Sequence, residues 1–139
     1  MSDLHVHPMV VHFPVALFIS ALGMEICSLI CKKDSLHRTA MHIYVLAAFL
    51  SPFAVWTGGW EEDRLHLHHP VLETHERFAL LTMWASLLSL PVLWCISKRK
   101  PQAFRLVFIG LVCLAVTFVS LTAYNGGRMV YEYGIGMPE

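Results

Sequence analysis

Apolar and polar positions along this chain segregate into long blocks. Four apolar runs, roughly residues 10–30, 40–58, 78–96 and 106–124, are separated by CKKDSLHR, EEDRLHLHHPVLETHER and SKRKPQAFR. Each run is close to the ~20 residues a helix needs to cross the hydrocarbon core of a bilayer. Each separator carries a proline, an aspartate or a charge run, the marks of a connector. The last three runs hold no charged side chain, and the first holds only Glu25. Pro52 predicts a kink in the second helix, which membrane helices tolerate. The pattern predicts an all-α integral membrane protein: one domain over residues 1–139, folded as an up-and-down bundle of four transmembrane helices. No internal repeat and no low-complexity segment is visible.

Lysine and arginine set the expected orientation. Seven of the ten basic residues lie in two connectors: Lys32, Lys33 and Arg38 in the first, and Lys98, Arg99, Lys100 and Arg105 in the third. The second connector has Arg64 and Arg77 among Glu61, Glu62, Asp63, Glu73 and Glu76. The first and third connectors are therefore expected in the cytoplasm, and both termini on the periplasmic side.

Composition supports a membrane location. The chain is 56% hydrophobic and 14% charged, with a mean hydropathy of +0.57, against about 25% charged in an ordinary soluble domain. A formal net charge of zero gives no field for nucleic acid. Four cysteines without a CxxCH motif argue against covalently attached haem. The first basic residue is Lys32, so no secretory leader is expected.

The expected topology gathers His5, His7, His12, His66, His68, His69 and His75 at the outer end. The stretch HPMVVHFP, residues 7–14, opens the first apolar run. Pro14 suits a helix's first turn, which puts the start near residues 11–12, after a segment that Pro8 keeps extended. A start near Met9 would make Pro14 a kink. His12 shares a helical face with Ala16, Ser20, Gly23 and Cys27, all small, and small faces mark close helix contacts in membranes. His75 heads a similar stripe, Ala79, Thr82, Ser86 and Ser89. The other two helices show Ala40, Tyr44, Ala47, Ser51 and Gly58, and Gly110, Cys113, Thr117, Ser120 and Tyr124. Up-and-down order places the first and third helices on a diagonal, so His12 and His75 are expected to face one another across the interior.

Two facing imidazoles in a bundle can hold a haem iron from both sides. Arg128, just beyond the fourth apolar run, is the candidate partner for the propionates. Gly126 and Gly127 are expected to turn the chain back over the mouth. His66, His68 and His69 form a weaker candidate metal group in a polar connector. Cys27, Cys31 and Cys95 read as small hydrophobes rather than metal ligands, and Glu25 as an interfacial acid that snorkels to water. Trp56, Trp60, Tyr124 and Tyr131, with Trp94 at the other end, read as interfacial aromatic belts.

HPMVVHFPVAL, His75 at the start of the third helix and the closing GGRMVYEYGIGM together resemble a family of small bacterial four-helix membrane proteins, domain of unknown function 2231. Its opening signature is HPxxVHFP and its closing pattern resembles GGxLVYxHGxGV; the resemblance covers essentially the whole chain. It places the family's motif histidines on His7, His12 and His75. Its closing glycines fall on Gly126, Gly127, Gly134 and Gly136, and its Val-Tyr pair on Val130 and Tyr131, which adds Tyr131 to the candidate cofactor-binding residues. Tyr133 stands where the pattern has histidine. The resemblance implies a bacterial inner-membrane location.

The expectation that follows is a multi-pass b-type cytochrome, or a cytochrome subunit, passing electrons between the quinone pool and a periplasmic redox partner. His12 and His75 are its expected axial ligands, with His7 as second partner or alternative ligand and Arg128 as propionate clamp. It is expected to be an electron-transfer protein rather than an independent enzyme, since no nucleophile or general base stands out. It would work as a homodimer or within a larger complex. One alternative is an accessory protein binding copper or zinc at the periplasmic face; another is a purely structural membrane subunit.

Overall fold

The computed structural model describes residues 6–65, 69–99 and 101–135, and every regular element among them is a helix. The helices are α1 (Val6–Cys31), α2 (Asp34–Leu65), α3 (Pro70–Arg99) and α4 (Pro101–Tyr131). Each is long and apolar enough to cross a membrane. They run longer than the apolar runs because the polar flanks continue the helices. Asp34 lies in the first turn of α2, where a carboxylate suits the helix dipole. Pro101 opens α4, where its missing N–H costs nothing. Lys32, in a left-handed conformation (φ 52°), ends α1, and Lys33 N–H closes the turn on the Ser28 carbonyl at 3.2 Å.

α1 begins at Val6, a turn earlier than the prolines suggested. Pro8 falls in its first turn and Pro14 inside it. The helix also continues past Gly126 and Gly127; the chain turns instead at Gly134 (φ 64°), with Ile135 N–H bonded to the Met129 carbonyl at 2.9 Å.

The helices form a closed ring in chain order. α1 packs mainly on α2 and α3 on α4, and the two hairpins meet through α1 with α4 and α2 with α3. α1 and α3 are diagonal, as expected. α2 buries Ala40, Tyr44, Ala47 and Ser51, and α3 buries Thr82, Ser86 and Ser89, on the stripes foreseen. α1 and α4 do not follow theirs. The small faces His12–Ala16–Ser20–Gly23–Cys27 and Gly110–Cys113–Thr117–Ser120–Tyr124 point outward, and the buried faces carry Phe18, Ala21, Glu25 and Ser28, and Phe108, Val112, Ala115 and Val119. Small size alone did not decide which face turns in, because the core needs volume on α1 and α4. All four cysteines are free and exposed on the outer surface, not buried. Trp56, Trp60, Trp94, Tyr124 and Tyr131 face outward, as belt residues do.

The hairpins are two copies of one design. Adding 68 to most buried positions in the first hairpin gives a buried position in the second: 18 to 86, 21 to 89, 40 to 108, 44 to 112, 47 to 115, 51 to 119, 54 to 122 and 57 to 125, with Ser28 and Ala48 the exceptions. Contrary to the expectation from sequence, the chain therefore contains an internal repeat, and an approximate two-fold axis runs down the bundle. Residues that meet near that axis are complementary in size. Phe18 answers Ser86, Tyr44 answers Val112, and Phe108 answers Ala40, all buried. Tyr44 stands edge-on to Phe18 and to Phe108 at 5.6 Å each, and its hydroxyl bonds to that of Ser89 at 2.9 Å. Two large side chains at equivalent axial positions would collide in a close-packed interior.

Glu25 breaks the pattern. Leu93 is its equivalent, and Glu25 is 1% exposed rather than snorkelling. His37 Nδ1–H donates to its Oε2 at 2.6 Å and Arg105 Nε–H to its Oε1 at 3.0 Å. Arg105 also donates to the Ser28 hydroxyl and lies 3.7 Å from Asp34. His37 and Arg105 are themselves 68 apart, so two equivalent positions converge on one carboxylate and tie α1 to α2 and α4. Losing one partner of a buried pair leaves an uncompensated charge. Arg105→Ala should lower unfolding stability in detergent by about 3 kcal/mol. Arg105→Ala combined with Glu25→Gln should cost less than the two single changes together, which a double-mutant cycle by calorimetry will read.

Candidate functional site

At the end of the bundle where α1 begins and α4 ends, two imidazoles face each other. They are His7 of α1 and His75 of α3, with ring centres 6.3 Å apart and planes at 88°. Both rings are half-buried. The ring opposite His75 is thus His7, not His12. His12 is exposed and borders the same cavity. The early start of α1 brings His7 over the bundle, and the buried face through Phe18 and Ala21 turns His12 aside.

Each ring is held the same way. His7 Nδ1–H donates to the Ala54 carbonyl of α2 at 3.1 Å, with the Thr57 hydroxyl at 3.2 Å. His75 Nδ1–H donates to the Thr122 carbonyl of α4 at 2.8 Å. The two carbonyls lie 47 residues beyond their histidines in both hairpins. A carbonyl only accepts, so each Nδ1 carries the hydrogen, and Nε2 is the nitrogen with a lone pair to offer. Metal-bound histidines are oriented by such a bond from the other ring nitrogen.

Glycine makes the approach possible. A Cβ at Gly58 would lie 3.0 Å from His7 Cε1, and one at Gly126 would lie 3.2 Å from His75 Cε1. Each glycine is four residues past the accepting carbonyl, one helical turn on, on the face where the ring rests. The neighbouring Gly59 and Gly127 have open space at their Cβ positions.

Both rings line a cavity of about 590 Å³, within the ~300–1,000 Å³ typical of small-molecule sites. Its wall repeats by hairpin: Pro14 with Thr82, Ala54 with Thr122, Gly59 with Gly127. The axis between the hairpins runs through it. Glu61, Glu62 and Glu76 bring carboxylates to the rim, and Met129 a thioether. Among the described residues, no three histidine, cysteine or carboxylate groups gather closely enough to hold a metal by themselves.

Other candidates lie elsewhere. Arg128 is not in the cavity wall: it donates to Glu132 at 2.9 Å and to the Tyr133 hydroxyl at 3.2 Å, and stands over the Tyr124 and Tyr133 rings. The Glu132 carboxylate, one turn away, holds the guanidinium to the tail. Tyr131 is 90% exposed and points away from the cavity, because α4 runs straight through the glycines. His66, His68, His5 and Gly136 lie outside the described residues. His69 caps α3, its Nδ1 accepting Val71 N–H at 3.2 Å, and its ring lies 4.4 Å from that of Tyr133. Tyr133 therefore sits beside His69, away from the His7–His75 pair, so the histidine of the family pattern is not missing from that pair. Thr57, Gly58 and the two carbonyls were not foreseen. Their signal was the matched VWTGG and AYNGG, at residues 55–59 and 123–127.

Gly58→Ala should push the His7 ring off its carbonyl and lower thermal stability by about 1–3 kcal/mol, the usual cost of overpacking. Gly126→Ala should behave alike. Gly59→Ala and Gly127→Ala should stay within about 0.5 kcal/mol of wild type. Thermal unfolding of the four purified variants reads the difference.

The model of a family described as "Predicted membrane protein (DUF2231)" matches residues 4–139. No curated protein and no solved structure matches the chain.

Proposed function

The chain belongs to this family of predicted membrane proteins, and we propose that it is a b-type membrane haem protein with His7 and His75 as axial ligands. In this reading it passes electrons between the quinone pool and a partner at the periplasmic face of a bacterial inner membrane.

The observation that carries the reading is the pairing of two carbonyl-anchored imidazoles across the cavity. The midpoint between the ring centres is about 3.15 Å from each. An imidazole nitrogen lies roughly 1.1 Å from its ring centre, so a nitrogen turned to that midpoint stands about 2 Å away, a metal–imidazole bond length. Two imidazoles underfill the shell of zinc, which takes four ligands. A haem brings its own four equatorial nitrogens and needs only two axial ligands. The small residues around the rings leave room for a flat group. The chain's part is to hold both rings in one tautomer, to exclude water with apolar walls, and to keep the site near one membrane surface.

A second reading rests on the rim. Glu61, Glu62 and Glu76 beside the cavity suit a cation better than a pair of propionates, and Met129 offers a soft ligand. That would be a copper site on the same two histidines.

A reduced-minus-oxidised visible spectrum of detergent-purified protein from haem-supplemented cells tests both. The haem reading expects a low-spin b-type spectrum that disappears in His7→Ala and in His75→Ala and survives in His12→Ala. A haem-free protein carrying about one copper per chain would replace it with the second reading, and a protein free of both metals would remove both.

A further inference from the structure

The two-fold repeat breaks at the end of the bundle where α2 and α4 begin. On the α1–α4 side, Arg105 of α4 reaches across to Glu25 of α1 at 3.0 Å. The equivalent residues on the α2–α3 side are His37 and Leu93. The Leu93 side chain has no polar atom to offer, and His37 turns instead to Glu25 at 2.6 Å. Glu25 therefore draws both equivalent groups to one side of the bundle. Among the described residues, no ion pair joins α2 to α3 at this end.

What lies between α2 and α3 there is a groove of about 420 Å³. Its sides are Met41, Val45 and Phe49 of α2, Leu90 and Trp94 of α3, and Phe104 of α4. Buried Tyr44 closes the back, its hydroxyl bonded across to Ser89 of α3 at 2.9 Å. Val45, Phe49 and Trp94 are exposed, so the groove opens sideways, toward lipid in a membrane. Its α2 wall rises about 12 Å from Met41 to Phe49.

The end of this groove is cationic. Arg38 lies one turn before Met41 on the face that carries Val45 and Phe49, and Lys98 lies one turn past Trp94 on α3. Both are exposed. The sequence supplies two acids at this end, Glu25 and Asp34, and both face Arg105, at 3.0 and 3.7 Å. Among the described residues, neither Arg38 nor Lys98 has an acidic partner. Two unneutralised cations at the mouth of an apolar groove between membrane helices complement an anionic headgroup that carries an acyl chain.

We propose that the α2–α3 groove binds one anionic phospholipid, an acyl chain lying along Met41, Val45 and Phe49 and the phosphate held by Arg38 and Lys98. The site is at the opposite end of the bundle from the His7–His75 cavity and does not depend on what that cavity holds. The Arg38 and Lys98 stems add apolar cover to the groove while their charges stay at the membrane surface. A neutral lipid or a quinone fills the apolar part and leaves both cations unmatched.

Phosphatidylglycerol is the probe, titrated into delipidated full-length protein in a neutral detergent, with bound lipid counted by native mass spectrometry. Wild type should hold one phosphatidylglycerol at least about tenfold more tightly than phosphatidylcholine. Arg38→Gln and Lys98→Gln should each weaken binding about fivefold, and raised salt should weaken wild type in the same sense. Val45→Trp, which fills the groove and keeps both cations, should lose the one-to-one adduct. Lys32→Asn removes a charge at the end of α1, diagonal to α3, and suits the left-handed backbone there; it should match wild type. Excess inorganic phosphate should leave the lipid in place. Equal affinity for the two lipids would overturn the proposal, as would wild-type binding in both Arg38→Gln and Lys98→Gln, or an adduct that survives Val45→Trp. Displacement by inorganic phosphate would make the site one for a free anion and overturn the lipid assignment.

Discussion

In this bundle each imidazole reaches the carbonyl of the neighbouring helix across a glycine one turn further on, where a Cβ would crowd the ring at 3.0–3.2 Å. The rest of the site depends on that constraint. The Ala54 and Thr122 carbonyls each accept a histidine N–H, and Gly58 and Gly126 are the residues four positions on, whose missing Cβ leaves room for the ring. The bond fixes which nitrogen carries the hydrogen. It also fixes where the ring lies, and so places His7 and His75 opposite each other at the end of the bundle. In a membrane interior such a bond is also the way a polar ring is accommodated at all.

The same constraint, met twice at the same spacing, gives the bundle its approximate two-fold axis. Parallel repeats about an axis along the membrane normal are a known way to build a site between two halves. Here the halves diverge where they meet. Phe18 and Ser86, Tyr44 and Val112, and Ala40 and Phe108 occupy equivalent buried places with unequal volumes. The hairpins agree at the histidine–glycine clasp and differ in the core beneath it. Glu25 carries the divergence furthest: a single buried carboxylate takes both His37 and Arg105, and Leu93 stands in its equivalent place. The clasps tie α1 to α2 and α3 to α4 at one end, and at the other Arg105 of α4 joins the second hairpin to Glu25 of the first, with an apolar core between.

The fold was largely legible in the sequence. Four bilayer-length apolar runs allowed few other architectures, and the diagonal placing of α1 and α3 followed from short connectors. The site was half legible. His75 faces the cavity, but the ring opposite it is His7 rather than His12, because on α1 the run of small residues does not mark the buried face. Phe18 and Glu25 show why: one fills volume in the core and the other is neutralised there by groups far away in sequence. Position alone makes Arg128 a candidate cofactor clamp, while Glu132, one turn on, holds it. The complementary core pairs hide the repeat in the sequence, leaving VWTGG and AYNGG as its plainest trace.

In the proposed haem protein, His7 and His75 would hold one iron between them with their rings crossed. Electron paramagnetic resonance of the oxidised, haem-loaded protein at low temperature tests this most directly, because the low-spin ferric signal reports the angle between two axial imidazole planes. Rings at 88° predict a highly anisotropic low-spin signal with one very large g-value. A rhombic low-spin signal from near-parallel rings, or a high-spin signal from a single axial ligand, would contradict it.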